Sequence, residues 1–253
     1  MKRLKEFFKK PVVIGLSVGM FVVNSMVNVY LVDKVNTLES KTFVVDDNNR
    51  VVNDSIVTNF DYTLNAFKHY NHETDSATVN KFLDVAHQFS LDKTDELFDL
   101  SLGQILLESG AKQYYPEGHP NEGELVKSPV GAIGFCQIMP RTALECFEKF
   151  IDKKMEKTFI ELGATKFSFA HNSLFTNSQK IDLTKKWLSN KTNNIILWGF
   201  IMRKNLDKNG SILKTLVAYN AGPTGMKRYM SRGGSLTKHD YIEGIKRCLQ
   251  RIY

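Results

Sequence analysis

The sequence predicts a predominantly α-helical protein, on three observations. Apolar residues recur at helical spacing through most of the second half of the chain. The breaks between those stretches carry helix punctuation: Gly110, Pro140, Asn209-Gly210 and Asn220-Ala221-Gly222-Pro223. Strand signals are few. Two short β-branched patches, Thr42-Phe43-Val44-Val45 and Arg50-Val51-Val52, flank the turn sequence Asp46-Asp47-Asn48-Asn49 and read as one small hairpin.

The chain has 253 residues, 42% of them hydrophobic, enough for one large domain or two small ones. Its net charge of +7 is unevenly placed. Lys2, Arg3, Lys5, Lys9 and Lys10 face one acid, Glu6, in residues 1–10. The remaining 243 residues carry 29 basic and 26 acidic side chains, a net of only +3. The basic balance is therefore partly a membrane-topology signal and gives no ground for nucleic-acid binding. Cys136, Cys146 and Cys248 make neither a metal spacing nor an even disulfide set. Cys136 and Cys146 lie in or beside apolar runs and read as small buried hydrophobes.

In chain order, residues 1–10 form a basic cytoplasmic segment. Residues 11–32, Pro11 to Val32, contain no charge. As a helix they would span about 33 Å, enough to cross a bilayer core. The run is long for a cleavable signal peptide, and no small-x-small site stands near its end. No cysteine follows it, which excludes a lipoprotein anchor. The expectation is an uncleaved single-pass signal anchor, with the N-terminus inside and the rest of the chain outside the cytoplasmic membrane. Residues 33–90 read as a stalk leading into one or two amphipathic helices, which carry Leu64, Phe67, Val79, Phe82, Val85 and Phe89. Residues 91–253 read as the main domain.

Within it, Leu97, Phe98, Leu102, Ile105 and Leu106 set one apolar face of a helix from about Asp95 to Glu108, and Gly110 stops it. Glu108 falls in the last turn, at the negative end of the helix dipole. That position and partial burial both push its pKa up, as a general acid near neutral pH requires. A loop over residues 110–130 follows, then the glycine-bearing stretch from Gly131 to Pro140, with Pro140 opening a helix. Residues 151–190 are Lys-rich and partly helical. A helix from Asn193 ends near Asn209-Gly210, and Ser211 caps another that stops at Asn220-Ala221-Gly222-Pro223. A last amphipathic helix carries Tyr241, Ile242, Ile245, Leu249 and Ile252, with Thr237 as its cap.

Three separated stretches stand in order: Glu108-Ser109; Gly131-Ala132-Ile133-Gly134-Phe135-Cys136-Gln137-Ile138-Met139-Pro140; and Ala218-Tyr219-Asn220-Ala221-Gly222-Pro223. Together they resemble the catalytic domain of the soluble lytic transglycosylase family, over about residues 95–253. Thr142-Ala143, Asn194-Ile195 and Gly199 are secondary matches. The resemblance implies a lysozyme-like fold of the goose-type kind. It also implies lytic cleavage of the β-1,4 bond between N-acetylmuramic acid and N-acetylglucosamine in peptidoglycan glycan strands. Glu108 matches the catalytic acid, which protonates the glycosidic oxygen and then takes the proton of the muramoyl C6 hydroxyl. That hydroxyl attacks C1 and leaves a 1,6-anhydro product, with no metal or cofactor implied. Because the substrate supplies its own nucleophile, no second carboxylate is needed, and none stands in the matched motifs.

The same resemblance implies sugar contacts for Ser109, Gln137, Met139, Tyr219 and Asn220. Three of them have a structural alternative. Ser109 orients the acid or satisfies backbone at a helix end. Gln137 binds an N-acetyl or hydroxyl group, or is a buried structural amide. Met139 walls a sugar subsite or is core. The Tyr219 phenol, near the acid, stacks on sugar and hydrogen-bonds Glu108. Glu117, Glu122 and Glu124 are the rival acids. The chain departs from the family at Phe135-Cys136, where Leu-Met is usual, at Thr237-Lys238, where Glu-Thr often precedes the tyrosine, and in longer gaps at 110–127 and 150–190. A hydrolytic lysozyme on the same fold and a catalytically idle wall-binding assembly module are the competing readings. A single anchor with a compact lytic domain suits a housekeeping wall enzyme. It suits equally wall opening for a secretion or conjugation apparatus, or phage entry, which would place the chain in the virion.

Overall fold

The computed structural model describes residues 44–45, 51–52 and 54–252. The expected anchor at 11–32 lies outside them. Among the described residues no helix is long and apolar enough to cross a membrane. The fold is predominantly helical. Contacts divide the chain at Asn59/Phe60 into two units. In the first, β1 (Val44–Val45) pairs antiparallel with β2 (Val51–Val52), Val44 opposite Val52, as the turn sequence between them predicts.

The helices are α1 (Asp54–Tyr70), α2 (Ser76–Gln88), α3 (Asp95–Ser109), α4 (Pro140–Lys149), α5 (Lys153–Glu161), α6 (Asn177–Leu188), α7 (Lys191–Asn209), α8 (Ile212–Ser231) and α9 (Asp240–Gln250). The second unit begins at Phe60, ahead of the boundary expected at 91. The reason is packing. Phe67 of α1 and Phe82 of α2 are fully buried, 5.4 Å apart, and Phe67 meets Phe135 while Phe82 meets Trp198 of α7. These aromatics carry a large share of the buried apolar surface, so the helices that present them are core, not lead-in.

α3 is the central helix. Thr94 caps its start, accepting from Leu97 N, and Asp95 and Glu96 complement the dipole there. Residues 97–98 and 100–106 are all buried, so the helix is enclosed on every side and not on one apolar face. Gly110 ends it in the left-handed conformation, φ 61°. α9 runs along α3 at close range. A Cβ on Gly103 would stand 2.8 Å from Ile245 Cγ2, so only glycine lets the two backbones approach this closely.

The Lys-rich segment 151–190 is built into the fold. Phe147 of α4, Phe159 of α5, Phe167 and Trp187 of α6 form a second buried aromatic cluster. Two caps differ from expectation. Ser211 occupies the N-cap of α8, but its side chain makes no capping bond. α9 is capped by His239, whose Nδ1 accepts from Tyr241 N, and Thr237 falls in a short 3-10 turn before it. α8 also continues past its expected stop. Gly222 (φ 72°, ψ 161°) breaks the helical path, and Pro223 opens a second helical stretch to Ser231.

Candidate active site

Glu108 ends α3 and accepts a hydrogen bond from the Tyr241 hydroxyl. Tyr241 is the second residue of α9 and is buried. The His239 cap fixes its backbone, and the close α3–α9 contact brings its ring to the carboxyl. Burial raises the Glu108 pKa to about 7, while the Tyr241 bond, which favours the charged form, works the other way. Burial wins. Around neutral pH the group is therefore divided between acid and carboxylate. The titratable groups facing it are Tyr241, the Tyr219 phenol of α8 and the Cys136 thiol, all three pushed up first by burial and then by the negative charge of Glu108 or its neighbours.

Beside Glu108 the chain folds residues 131–138 into a tight turn. Ile133 and Ile138 exchange backbone bonds of 3.0 and 3.1 Å. Gly134 has φ 72°, and a Cβ there would lie 2.6 Å from Gln113 Oε1. Four side chains from separate elements grip this backbone. Ser109 Oγ donates to Phe135 O at 2.6 Å. Gln113 Oε1 accepts from Phe135 N at 2.7 Å, and its Nε2 donates to Leu188 O and Ser189 O. Asn194 Oδ1 accepts from Cys136 N at 2.7 Å while its Nδ2 donates to Ile133 O at 2.9 Å. Tyr219 OH donates to Cys136 O at 2.7 Å. Each bond satisfies a backbone group that a helix or sheet would otherwise satisfy, which is how an irregular segment can be buried here.

Gln137, Met139 and Tyr219 line one cavity of about 280 Å³, together with Glu145, Lys204 and Pro223. Gln137 has φ 49° and is 7% exposed; its Nε2 donates to Gly134 O at 2.8 Å and to Val126 O at 3.3 Å. Met139 sits at the N-cap of α4, where its half-buried side chain reaches the cavity. Lys204 Nζ stands 3.2 Å from the centre of the Phe150 ring, and both residues line the cavity. A larger cleft, about 750 Å³, opens between α4 and α6, and Glu145 borders both. Glu108 lines neither cavity, but its charge bears on Tyr219, which does line the first, and on the buried Cys136. Asn220 is exposed and is not part of the lining.

The arrangement redistributes the expected roles. The phenol that meets Glu108 is Tyr241, whereas Tyr219 is committed to the turn. Ser109 likewise takes its structural alternative, accepting from Lys112 N as it donates to Phe135 O. Glu117, Glu122 and Glu124 are exposed. Gln113 was hidden in a stretch that reads as a polar loop, and the signals for Tyr241 were its place on an apolar helical stripe and its position after Thr237-Lys238, where the resembled family often has Glu-Thr before a tyrosine. No family profile, curated protein or solved structure matches the chain.

Proposed function

We propose that the chain is a peptidoglycan lytic transglycosylase with a lysozyme-like catalytic domain, carried on the outer face of the cytoplasmic membrane by residues 11–32. The observation that carries this reading is a half-buried carboxyl, Glu108, poised near neutrality against Tyr241 and beside a cavity walled by Gln137, Met139 and Tyr219. A general acid that must also act as base works best with a pKa near the operating pH. Glu108 in its neutral form donates its proton to the glycosidic oxygen as the C1–O4 bond breaks. The resulting carboxylate then accepts the proton of the muramoyl C6 hydroxyl as O6 bonds to C1. The acid is regenerated and no water is consumed. Glu145, the carboxylate on the cavity wall, is half-exposed and pairs with Lys149 at 3.1 Å; the lytic reaction asks nothing of it, because the substrate supplies its own nucleophile.

The test is Glu108→Gln in the full chain, assayed on purified peptidoglycan with muropeptides read by mass spectrometry. Anhydro-muramoyl products should fall by at least ~10²-fold, the low end for loss of one acid–base group. Near-parental release of anhydro ends by the variant would remove Glu108 from the role. Reducing ends from the parent protein would make it a hydrolase. A parent that binds wall and releases neither product would make it an assembly module.

A further inference from the structure

The Glu108–Tyr241 pair does not end at Tyr241. One turn before Glu108 on α3 lies Gln104, which is fully buried. Its Oε1 accepts from the indole Nε1 of Trp198 on α7 at 3.1 Å, and Trp198 is fully buried too. An indole N–H can only donate, so the atom it meets must be the carbonyl oxygen of the amide. That fixes the amide's orientation and turns its NH₂ the other way. Nε2 is buried and has no hydrogen-bond acceptor within ordinary geometry among the described residues. No hydrogen bond joins it to Tyr241, but its influence falls on that phenol, which it lowers against the upward push of burial. A phenol has one proton. With its oxygen facing a donor, that proton is left for Glu108 Oε1, where the hydrogen bond is found.

We propose that Gln104 is a positioning residue: its amide, oriented by Trp198, sets the direction of the Tyr241 hydroxyl, so that Glu108 Oε1 always accepts and the acidic proton is carried on Oε2. Without the amide, Tyr241 can rotate its hydroxyl and accept from a neutral Glu108. The proton would then sit on Oε1, bound to the protein and turned from substrate. Trp198, Gln104, Tyr241 and Glu108 thereby form a one-way series of donors, with the step from Gln104 to Tyr241 as its inferred link. Its functional meaning rests on the reading of Glu108 as the acid. Its existence does not.

The test separates the two. Glutamate-labelled full-length protein in detergent is titrated without substrate, and the Glu108 carboxyl carbon is followed by NMR in the parent, Gln104→Met and Trp198→Phe. The other titratable groups facing Glu108, namely Tyr219, Tyr241 and Cys136, are the same in all three. Removing the amide weakens Tyr241 as a donor to the carboxylate, so Glu108 should titrate higher in Gln104→Met, by roughly half to one pH unit for one hydrogen bond. Trp198→Phe frees the amide to turn and should move it in the same direction by less. The alkaline limb of lytic activity should move up with the titration, while the rate on the low-pH plateau falls several-fold. A Glu108 titration unchanged in Gln104→Met at parental melting temperature would overturn the proposal. So would an unchanged titration in Trp198→Phe, which keeps Gln104 in place and serves if the methionine variant does not fold. A shifted titration in a protein whose Glu108→Gln variant stays lytic would leave the donor chain standing and remove its catalytic meaning.

Discussion

Two tyrosines approach the same carboxyl from different helices and do different work. Tyr219 closes the regular part of α8 just before the Gly222 break, and its hydroxyl donates to Cys136 O. Tyr241 stands at the start of α9, and its hydroxyl donates to Glu108. Burial pushes both phenols up, and both feel the charge of Glu108. The difference is the acceptor each meets. A buried backbone carbonyl left without a donor costs about 1–3 kcal/mol, so Tyr219 is tied to the fold. Tyr241 is tied to the acid, and its bond changes strength whenever Glu108 gains or loses a proton. Nearness to an acid therefore does not define a tyrosine's role; the fate of its single proton does.

The largest effect should come from removing the group the two share. Folding holds a proton on Glu108 that the unfolded chain releases near its ordinary 4.5, because the folded pKa is about 7. The stability this group contributes is full below about 4.5 and is lost as pH rises through about 7. A shift of that size corresponds to on the order of 3 kcal/mol. Glu108→Gln keeps the shape and an acceptor for Tyr241 but cannot ionise. Denaturant unfolding should find the variant more stable than the parent at pH 8 by up to that amount, with the gap closing toward pH 5. A gap that does not change with pH would mean that Glu108 is not held up by burial.

Tyr241→Phe comes next and breaks one side of the comparison. It removes a bond that favours the carboxylate, so Glu108 should titrate above 7. A hydrogen bond to a charged group is worth about 1.5–3 kcal/mol, so the lytic rate on its low-pH plateau should drop by roughly 10- to 100-fold. The alkaline limb of the pH profile should shift upward at the same time. An unmoved limb would show that Tyr241 does not act on Glu108.

The helices were largely legible because their signals are local. Gly110, Pro140 and Gly210 stop or start helices where their chemistry demands. Glu108 was legible for the same reason, being an acid at the end of an apolar run. Tyr241 and Gln104 were not, because their roles come from contacts more than ninety residues away in sequence. On a helix read as one apolar stripe, a tyrosine and a glutamine look like core and surface. Gln104 stands one turn before the acid on α3, but only the approach of α9 to α3 at Gly103 brings Tyr241 to it. The expected hydrogen bond from Tyr219 to Glu108 failed on direction. The motif places the residue beside Glu108, but no sequence pattern says which way a hydroxyl points.

Tyr219→Phe should give a smaller effect and of a different kind. Its loss frees Cys136 O, costing about 1–3 kcal/mol of stability with little change in the Glu108 titration. A substantial upward move of that titration would collapse the distinction between the two tyrosines.

The smallest effect is expected at Gln137, which shares the cavity with Tyr219. Its Nε2 is committed to Gly134 O and Val126 O, so the amide serves the turn first. Its backbone already stands at φ 49°, a conformation that costs alanine about as much as glutamine. Gln137→Ala therefore adds no backbone strain. What it removes is one good and one long hydrogen bond from a turn that Ser109, Gln113, Asn194 and Tyr219 still grip. The stability loss should be about 0.5–1.5 kcal/mol, the net worth of an ordinary hydrogen bond. A sugar that uses the remaining oxygen of Gln137 would add a rise in KM at constant kcat, because such a contact is made equally in ground and transition states. Steady-state kinetics on a soluble glycan fragment, alongside chemical denaturation, separates the two. A stability loss with KM unchanged assigns Gln137 wholly to the turn. A raised KM with unchanged stability would assign it to substrate and put its amide on the same side of the comparison as Tyr241.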